Sequence, residues 1–289
     1  FRLTRFIDYL KVKDRTVFLF KNLVEKDFLN SRNYNCVHIN KDNSAHFDYI
    51  FIDSKLNCSN LYKKYPNSKI IIFDNLNIKD NLVSQIVIPS FYINKNLVNR
   101  VDKKYRKMLS WGKHYALLSQ PLLLKKKISK KILITFGGSD PNNITLKVIK
   151  GLAKTSYIER CRVVLGPGYK HDESKLLDIY NDLDIKRDIT NLAEEVANAS
   201  LIVTAVGTTL QELEFYGKKG IIICNYDIDL DDFIWIRKMS RMKNNWQCLG
   251  KWDSFDTSDL INNISKMDLK KEKEIDDSNW GASLLSLAG

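Results

Sequence analysis

Residues 201–217, LIVTAVGTTLQELEFYG, decide the fold class of this chain. An apolar run ends at Gly207, two threonines follow, and a helix-forming run then carries Glu212. This order predicts a buried strand, a tight turn and a helix, whose first backbone N–H groups attract a phosphate. Glu212 lies one turn further along, where its carboxylate could accept hydrogen bonds from sugar hydroxyls. The segment therefore indicates a pocket for a nucleotide that carries a sugar.

The rest of the sequence repeats this order of short apolar runs and helical periodicity, which is typical of a parallel sheet flanked by helices. The predicted strands are residues 16–20, 35–39, 49–53, 69–73, 85–89, 131–136, 162–165, 185–188, 201–205, 220–224 and 246–249. The predicted helices are residues 142–154, 174–181, 192–197, 209–216, 231–242 and 257–267. The chain is therefore predicted to be an α/β protein.

The two halves of the chain look like two copies of one architecture. Lysines replace the apolar periodicity at residues 122–130, which predicts a linker. We expect Rossmann-like domains at residues 1–121 and 131–289, with a ligand cleft between them at the carboxyl ends of the strands. Residues 1–10 have helical spacing, so a first strand and loop of about 12–20 residues are expected to precede Phe1.

The net charge of +12 comes largely from lysines and leaves three interpretations open. The basic clusters at residues 103–107 and 125–131 form a solvated surface, bind an acidic ligand such as a nucleotide diphosphate, or make peripheral contact with an anionic membrane. Aromatic residues are not interleaved with these clusters, so no nucleic-acid partner is predicted.

The cysteine, histidine and glycine patterns disfavour several other classes of protein. The five cysteines include no CxxC pair, so neither a zinc site nor a disulfide framework is expected. The four histidines are dispersed, and no metal ion is predicted. Neither the P-loop nor the dinucleotide-binding glycine motif is present. No apolar run reaches the roughly 18 residues of a membrane helix and no signal peptide is visible, so we expect a cytoplasmic protein.

Three more strand ends carry motifs that face a ligand in the predicted fold. Residues 132–143 (ILITFGGSDPNN) pass through two glycines, which let the backbone approach a ligand, into a helix that Asp140 and Pro141 begin. Residues 163–168 (VVLGPG) end a strand in a second glycine-rich turn, and residues 188–193 (DITNLA) offer backbone groups to a base edge. An ordinary turn or helix cap is the alternative at each position.

Acidic residues near the strand ends also have structural alternatives. Thr209 and Glu212 fit a capping box, in which the hydroxyl and the carboxylate satisfy the first N–H groups of the helix without a ligand. The strand at residues 220–224 is followed by Asn225 and then by four aspartates between residues 227 and 232. We interpret these aspartates as the first turn of a helix, where acids complement the helix dipole, rather than as a metal site.

Taken in order, the motifs resemble those of the UDP-2,4-diacetamido-2,4,6-trideoxy-β-L-altropyranose hydrolases of pseudaminic acid synthesis. That family is a branch of the GT-B superfamily of two Rossmann-like domains, which also holds the muramyl-lipid N-acetylglucosaminyltransferase. The resemblance is carried by ILITFGGSDPNN (132–143), VVLGPGY (163–169), DITNLAEEVANASLIV (188–203), GTTLQELEFYG (207–217), CN (224–225), DDSNWGASLL (276–285) and WGKHYALLSQP (111–121). It covers nearly the whole chain and is more specific in the C-terminal half.

The resemblance implies a UDP pocket in the C-terminal domain and no cofactor. The residues at its motif positions are Gly137, Gly138, Ser139, Gly166, Ile189, Gly207, Thr208, Thr209 and Glu212. The threonine turn would hold the pyrophosphate, and Glu212 would bind the ribose. The candidates on the sugar side are Arg2, Asp53, Tyr115 and Asn225, of which Asn225 is also the catalytic candidate within the chain. In such enzymes water attacks the anomeric carbon with inversion, and a histidine in a loop expected before Phe1 is the base.

The sequence departs from the family mainly on the sugar side. Residues 53–55 (DSK) and 119–121 (SQP) lack the family's tyrosine and its arginine and glutamate. Val206 replaces the first of two glycines, and Tyr226 stands in place of a glutamine. Three hypotheses follow: a UDP-sugar hydrolase in nonulosonic acid or surface polysaccharide synthesis, a glycosyltransferase with a UDP-sugar donor, or a non-catalytic nucleotide-sugar-binding partner subunit.

Overall fold

The computed structural model describes residues 3, 6–7, 10–11, 13, 16–20, 23–38, 47–53, 63–76, 83–118, 130–187, 189, 192–241, 243–268, 280, 283 and 287. The chain divides into two compact units. Unit 1 comprises Phe1–Phe91, Lys95–Leu117 and Asn279–Gly289, and unit 2 comprises Tyr92–Asn94 and Leu118–Ser278. The predicted linker at residues 122–130 lies outside the described residues, except for Lys130.

Unit 1 is built from short strands and short helices. Its elements are β1 (Phe18–Phe20), α1 (Leu23–Asn30), β2 (Cys36–His38), β3 (Tyr49–Ile52), β4 (Lys69–Phe73), β5 (Val83–Val87), α2 (Lys95–Arg100), α3 (Lys103–Arg106), β6 (Leu109–Ser110) and a 3-10 turn at Lys113–Tyr115. β1 pairs with β2, a second sheet has the order β3-β4-β5-β6, and every pair is parallel.

The two faces of β4 explain how unit 1 holds together. Successive side chains of a strand point to opposite faces, and β4 is apolar on both. Ile71 and Phe73 pack on one face in a cluster around Phe6, whose ring centroid lies 5.1 Å from that of Phe73. Ile70 and Ile72 pack on the other face in a separate cluster. The sheet is therefore covered on both sides, as parallel sheets are.

Unit 2 is a regular alternation of strands and helices. Its elements are β7 (Ile132–Thr135), α4 (Ile144–Leu152), a 3-10 turn (Ile158–Arg160), β8 (Cys161–Leu165), α5 (Ser174–Leu177), β9 (Asp184–Arg187), α6 (Leu192–Asn198), β10 (Leu201–Thr204), α7 (Thr209–Phe215), β11 (Gly220–Cys224), α8 (Asp227–Met239), a 3-10 turn (Lys243–Asn245), β12 (Trp246–Lys251) and α9 (Thr257–Asp268). All residues of β7, β10 and β11 are buried, because helices cover the central strands.

The strand order of unit 2 is that of a doubly wound dinucleotide-type sheet. The six parallel strands run in the order β9-β8-β7-β10-β11-β12. In chain order this is 3-2-1-4-5-6, the arrangement built from two mononucleotide-binding halves. The direction of winding reverses between β7 and β10. In sheets of this type a ligand binds outside the carboxyl ends of the strands at that point.

The predicted α/β class is confirmed, and each predicted strand overlaps a strand of the structure. The helix predicted from residue 231 begins four residues earlier, at Asp227, so two of the four aspartates, Asp227 and Asp229, lie in its first turn. The sequence missed α1, α2, α3 and the two-residue strand β6. Of the predicted helix at residues 1–10, the structure describes residues 3, 6, 7 and 10, all helical.

Candidate functional site

The turns that follow β7 and β10 begin side by side at the point where the winding reverses. The two strands are parallel neighbours, and Thr135 at the end of β7 is paired with Thr204 at the end of β10. The glycine-rich turn after β7 and the threonine turn after β10 therefore start at the same level of the sheet. This is where the fold places a ligand.

The turn after β7 is held by a buried carboxylate. Asp140 adopts a left-handed backbone conformation, with φ of 41°, and only 3% of its surface is exposed. Its two carboxylate oxygens accept hydrogen bonds from the backbone N–H groups of Ile144 and Thr145, each at 2.9 Å. Helix α4 begins at Ile144, so the prediction that Pro141 is its first residue is wrong. Asp140 instead caps the helix from four residues upstream.

The turns after β7 and β8 are in direct contact, and glycine makes this contact possible. The N–H group of Gly168 donates a hydrogen bond to the carbonyl of Gly138 at 2.7 Å. A methyl group at Gly166 would lie 2.4 Å from the carbonyl oxygen of Gly137 and 2.7 Å from the Cα of Gly138. Gly137 has a φ of 77°, which a side chain disfavours. The two glycine motifs of the sequence thus form one structural feature.

Two aromatic side chains extend this contact. The hydroxyl of Tyr169 donates to the side-chain oxygen of Asn143 at 3.0 Å, and burial raises the pKa of Tyr169 to about 12. The ring of His171 packs edge-on against that of Tyr169. Nε2 of His171 lies 2.9 Å from the carbonyl oxygen of Asp140. Because a carbonyl only accepts, this nitrogen carries a proton and fixes the backbone of Asp140.

The turn after β10 leaves open space beside its glycine. A methyl group at Gly207 would meet no atom within 4 Å, and the same holds at Gly138. Thr208 is the N-cap residue of α7, its side chain makes no capping hydrogen bond, and Thr209 is the first helical residue. Glu212 is therefore the fourth helical residue, so the alternative capping box with Thr209 as the cap is wrong. The Glu212 side chain is nonetheless buried, with 2% exposure.

The end of β11 is joined to the turn after β7. The side-chain amide of Asn142 donates to the backbone carbonyl of Asn225 at 3.1 Å and to its side-chain oxygen at 3.3 Å. The carboxylate of Asp229, in the first turn of α8, accepts from the N–H groups of Asn225 and Tyr226 at 2.8 and 3.0 Å. Burial raises the pKa of Asp229, and these two hydrogen bonds oppose that shift.

The predicted UDP-binding residues, and Asn225 from the sugar side, all follow the carboxyl ends of strands in the unit 2 sheet. Gly137, Gly138 and Ser139 follow β7, Gly166 follows β8, Ile189 follows β9, Gly207, Thr208, Thr209 and Glu212 follow β10, and Asn225 follows β11. The residues next to Ile189 lie outside the described part of the chain. The contacts above connect the turns after β7, β8 and β11 directly. Sequence reasoning did not single out Asn142, His171 or the capping role of Asp229.

The candidates on the sugar side in unit 1 follow different strands. Asp53 follows β3, and Tyr115 lies in the 3-10 turn after β6. Tyr115 packs against the core cluster around Phe6, as does Phe51 of β3. Arg2 lies outside the described residues.

Within the part of the chain that the structure describes, no cluster of three or more histidine, cysteine, aspartate or glutamate residues could hold a metal ion. In the same residues, no helix has the length and apolar character needed to cross a membrane.

Comparison with known sequences gives one relative and no family model that matches. An uncharacterized protein of Methanocaldococcus jannaschii is 31% identical over an alignment of 192 residues, and the match covers 60% of this chain and 39% of the relative. The chain thus spans about two fifths of the length of the curated relative it matches.

Solved structures give a clearer comparison. Acinetobacter baumannii MurG matches 100% of this chain and 91% of its own with a TM-score of 0.56 and 10% identity. A UDP-GlcNAc 2-epimerase of Methanocaldococcus jannaschii matches 99% and 94% with a TM-score of 0.52 and 13% identity. The chain has the GT-B fold of two Rossmann-like units. A second structure of that epimerase, in complex with UDP-GlcNAc and UDP, matches 92% of this chain and 77% of its own at 14% identity, with a TM-score of 0.52.

Alanine substitutions at Gly166 and Gly138 should differ in their effect on the stability of the protein. Gly166→Ala should lower the free energy of unfolding by about 1–3 kcal/mol, because the methyl group overlaps rigid backbone. Gly138→Ala should change it by less than about 1 kcal/mol, because the space beside Gly138 is open. Urea unfolding monitored by circular dichroism measures both values. Equal stability of the two variants would show that the contact between the turns is not needed.

Proposed function

We propose that unit 2 binds the UDP portion of a UDP-sugar at the turns after β7 and β10. The observation that carries the proposal is the paired start of these two turns where the winding of the sheet reverses. Gly138 and Gly207 both face open space there, so backbone N–H groups are accessible to a diphosphate. Proteins with the same fold include an epimerase that has been solved with UDP-GlcNAc and UDP.

Glu212 is proposed to bind the ribose. Its side chain is buried one turn behind Gly207 and Thr208, in a helix whose seven residues are all buried. Two adjacent ribose hydroxyls supply two donors whose geometry matches the two oxygens of a carboxylate. The neighbouring Glu214 has a structural role, because its carboxylate accepts hydrogen bonds from the Ser240 hydroxyl and the Arg241 N–H.

The reaction that we propose is hydrolysis of the bond between the anomeric carbon of the sugar and the diphosphate. Water adds to the anomeric carbon, the carbon–oxygen bond to UDP breaks, and one proton of the water passes to a base. Backbone N–H groups at the turns would stabilise the negative charge on the departing diphosphate. Asn225 can orient a water or a sugar hydroxyl, but its neutral amide is no base. The substrate class is a UDP-linked acetamido or deoxy sugar.

Glycosyl transfer with the same UDP-sugar donor site is the second candidate. The observation that favours it is in the sequence, where residues 53–55 (DSK) and 119–121 (SQP) depart from the motifs on the sugar side of the hydrolase family. In this reaction a hydroxyl of an acceptor replaces water, and the departure of UDP is unchanged.

Calorimetric titration of UDP tests the pocket. Glu212→Gln should weaken UDP affinity at least about tenfold, because it replaces charge-assisted hydrogen bonds to the ribose with neutral ones. Glu194→Gln, on the exposed side of α6, is the matched control and should leave affinity unchanged. Unchanged UDP affinity in Glu212→Gln together with a lower melting temperature would show that Glu212 acts only in stability.

Release of UDP from UDP-sugars tests the reaction. Incubation of the full-length protein with UDP-N-acetylglucosamine and with UDP-linked diacetamido sugars should release UDP and free sugar without any acceptor. If UDP is released only when an acceptor is added, the protein is a glycosyltransferase and not a hydrolase. Tight binding of UDP with no release under either condition would contradict both reactions and favour the non-catalytic hypothesis.

A further inference from the structure

Two cysteines lie in contact at the carboxyl end of the unit 2 sheet. Cys224 ends β11, Cys248 lies in the parallel neighbour β12, and their Sγ atoms are 3.7 Å apart. The ladder between the strands shifts register between Ile222 and Cys224, so Cys224 is paired with Lys251 rather than with the residue that regular pairing would give. Cys248 is paired with Ile222, two residues before Cys224, so side-chain alternation places both thiols on the same face of the sheet, although 24 residues separate them in the sequence.

The environment favours a thiolate at Cys248 and a thiol at Cys224. The pKa of Cys248 is lowered, first by its hydrogen bond with the Cys224 sulfur, and also by the Gly250 N–H at 3.4 Å and the charge of Arg237. Burial and the negative charge of Asp229 oppose this shift. The pKa of Cys224 is raised by the same contact and by burial. Cys248 is half-buried and Cys224 fully buried, so an oxidant reaches Cys248 first.

We propose that Cys224 and Cys248 form a reversible disulfide that changes the shape of the loop at Asn225. With hydrogen peroxide as the oxidant, the Cys248 thiolate attacks one peroxide oxygen and, with a proton, releases water to give a sulfenic acid. The Cys224 sulfur then displaces the hydroxyl group, which leaves as a second water once it takes up the Cys224 proton. Two thiols lose two electrons and two protons, and one peroxide is reduced to two waters.

The geometry connects this bond to the candidate site. The sulfur atoms must move from 3.7 Å to about 2 Å apart, which requires movement at the end of β11 or in β12. Cys224 accepts a backbone hydrogen bond from Trp252, and the next residue, Asn225, is held by Asp229 and Asn142. Movement of Cys224 therefore strains the contacts of Asn225. The disulfide itself is independent of the proposed function, whereas its effect on UDP binding depends on that function.

The chain contains its own control cysteines. Cys161 is buried, its thiol donates to the carbonyl of Tyr157, and burial raises its pKa to about 12, so it should resist oxidation. Cys36 lies in unit 1, where its thiol donates to the side chain of Asn30. Neither lies in the Cys224–Cys248 contact.

Peptide mapping after oxidation tests the proposal. The reduced full chain is treated with hydrogen peroxide or oxidised glutathione, remaining thiols are alkylated, and cross-linked peptides are identified by mass spectrometry. A Cys224–Cys248 cross-link should form, revert with dithiothreitol, and be absent from Cys248→Ser and Cys224→Ala but present in Cys36→Ser. Cys161 should stay reduced. Hydrogen exchange at the Asn225 and Tyr226 amides should be about fivefold or more faster in the oxidised protein.

The outcomes separate the parts of the proposal. Persistence of both thiols while other cysteines oxidise would overturn the disulfide. A cross-link with unchanged exchange at Asn225 and Tyr226 would overturn the coupling to the loop. Oxidation should also weaken UDP binding about fivefold or more, and dithiothreitol should restore it. If the reduced protein does not bind UDP, the proposed function fails, but the cross-link and the exchange rates still decide this proposal.

Discussion

The candidate site depends on the close approach of two backbone turns. The hydrogen bond from the Gly168 N–H to the Gly138 carbonyl is possible only because Gly166 and Gly168 lack side chains that would occupy the same space. This contact fixes the turn after β7 beside the one after β8. The buried carboxylate of Asp140 and the ring of His171 hold the same turn from its other end. The turn is thus positioned before any ligand binds, which reduces the entropic cost of binding.

The contacts around this turn extend across four strands of the sheet. Gly166 and Gly168, in the turn after β8, contact it directly. Asn225, in the loop after β11, accepts a hydrogen bond from Asn142, which follows this turn. β10 contributes through its register with β7. A change at one strand end should therefore alter the contacts of the others. For this reason a disulfide between Cys224, which directly precedes Asn225, and Cys248 would affect the site.

The sequence predicted unit 2 well because its signals are local and redundant. Buried strands read as continuous apolar runs, and glycines mark where they end. The contacts between strand ends could not be predicted from the sequence, because they depend on which strands are neighbours. Examples are Asn142 with Asn225 and Cys224 with Cys248. The capping role of Asp140 was predicted, but not its left-handed backbone, which moved the start of α4 beyond Pro141.

Unit 1 was predicted less completely. Its helices α1, α2 and α3 have four to eight residues, too short for a helical period to stand out, and β6 has only two. The sequence also does not show that β3 and β6, which precede Asp53 and Tyr115, are the two edges of one sheet. Proximity in a sheet follows from strand order, which a single sequence does not contain.

A crystal structure of the protein with UDP would show directly where the nucleotide binds. We expect the diphosphate at the turns after β7 and β10, with its oxygens about 3 Å from backbone N–H groups near Gly138 and Thr208, and the ribose hydroxyls at the Glu212 carboxylate. UDP bound elsewhere on the chain, with these two turns empty, would contradict this expectation.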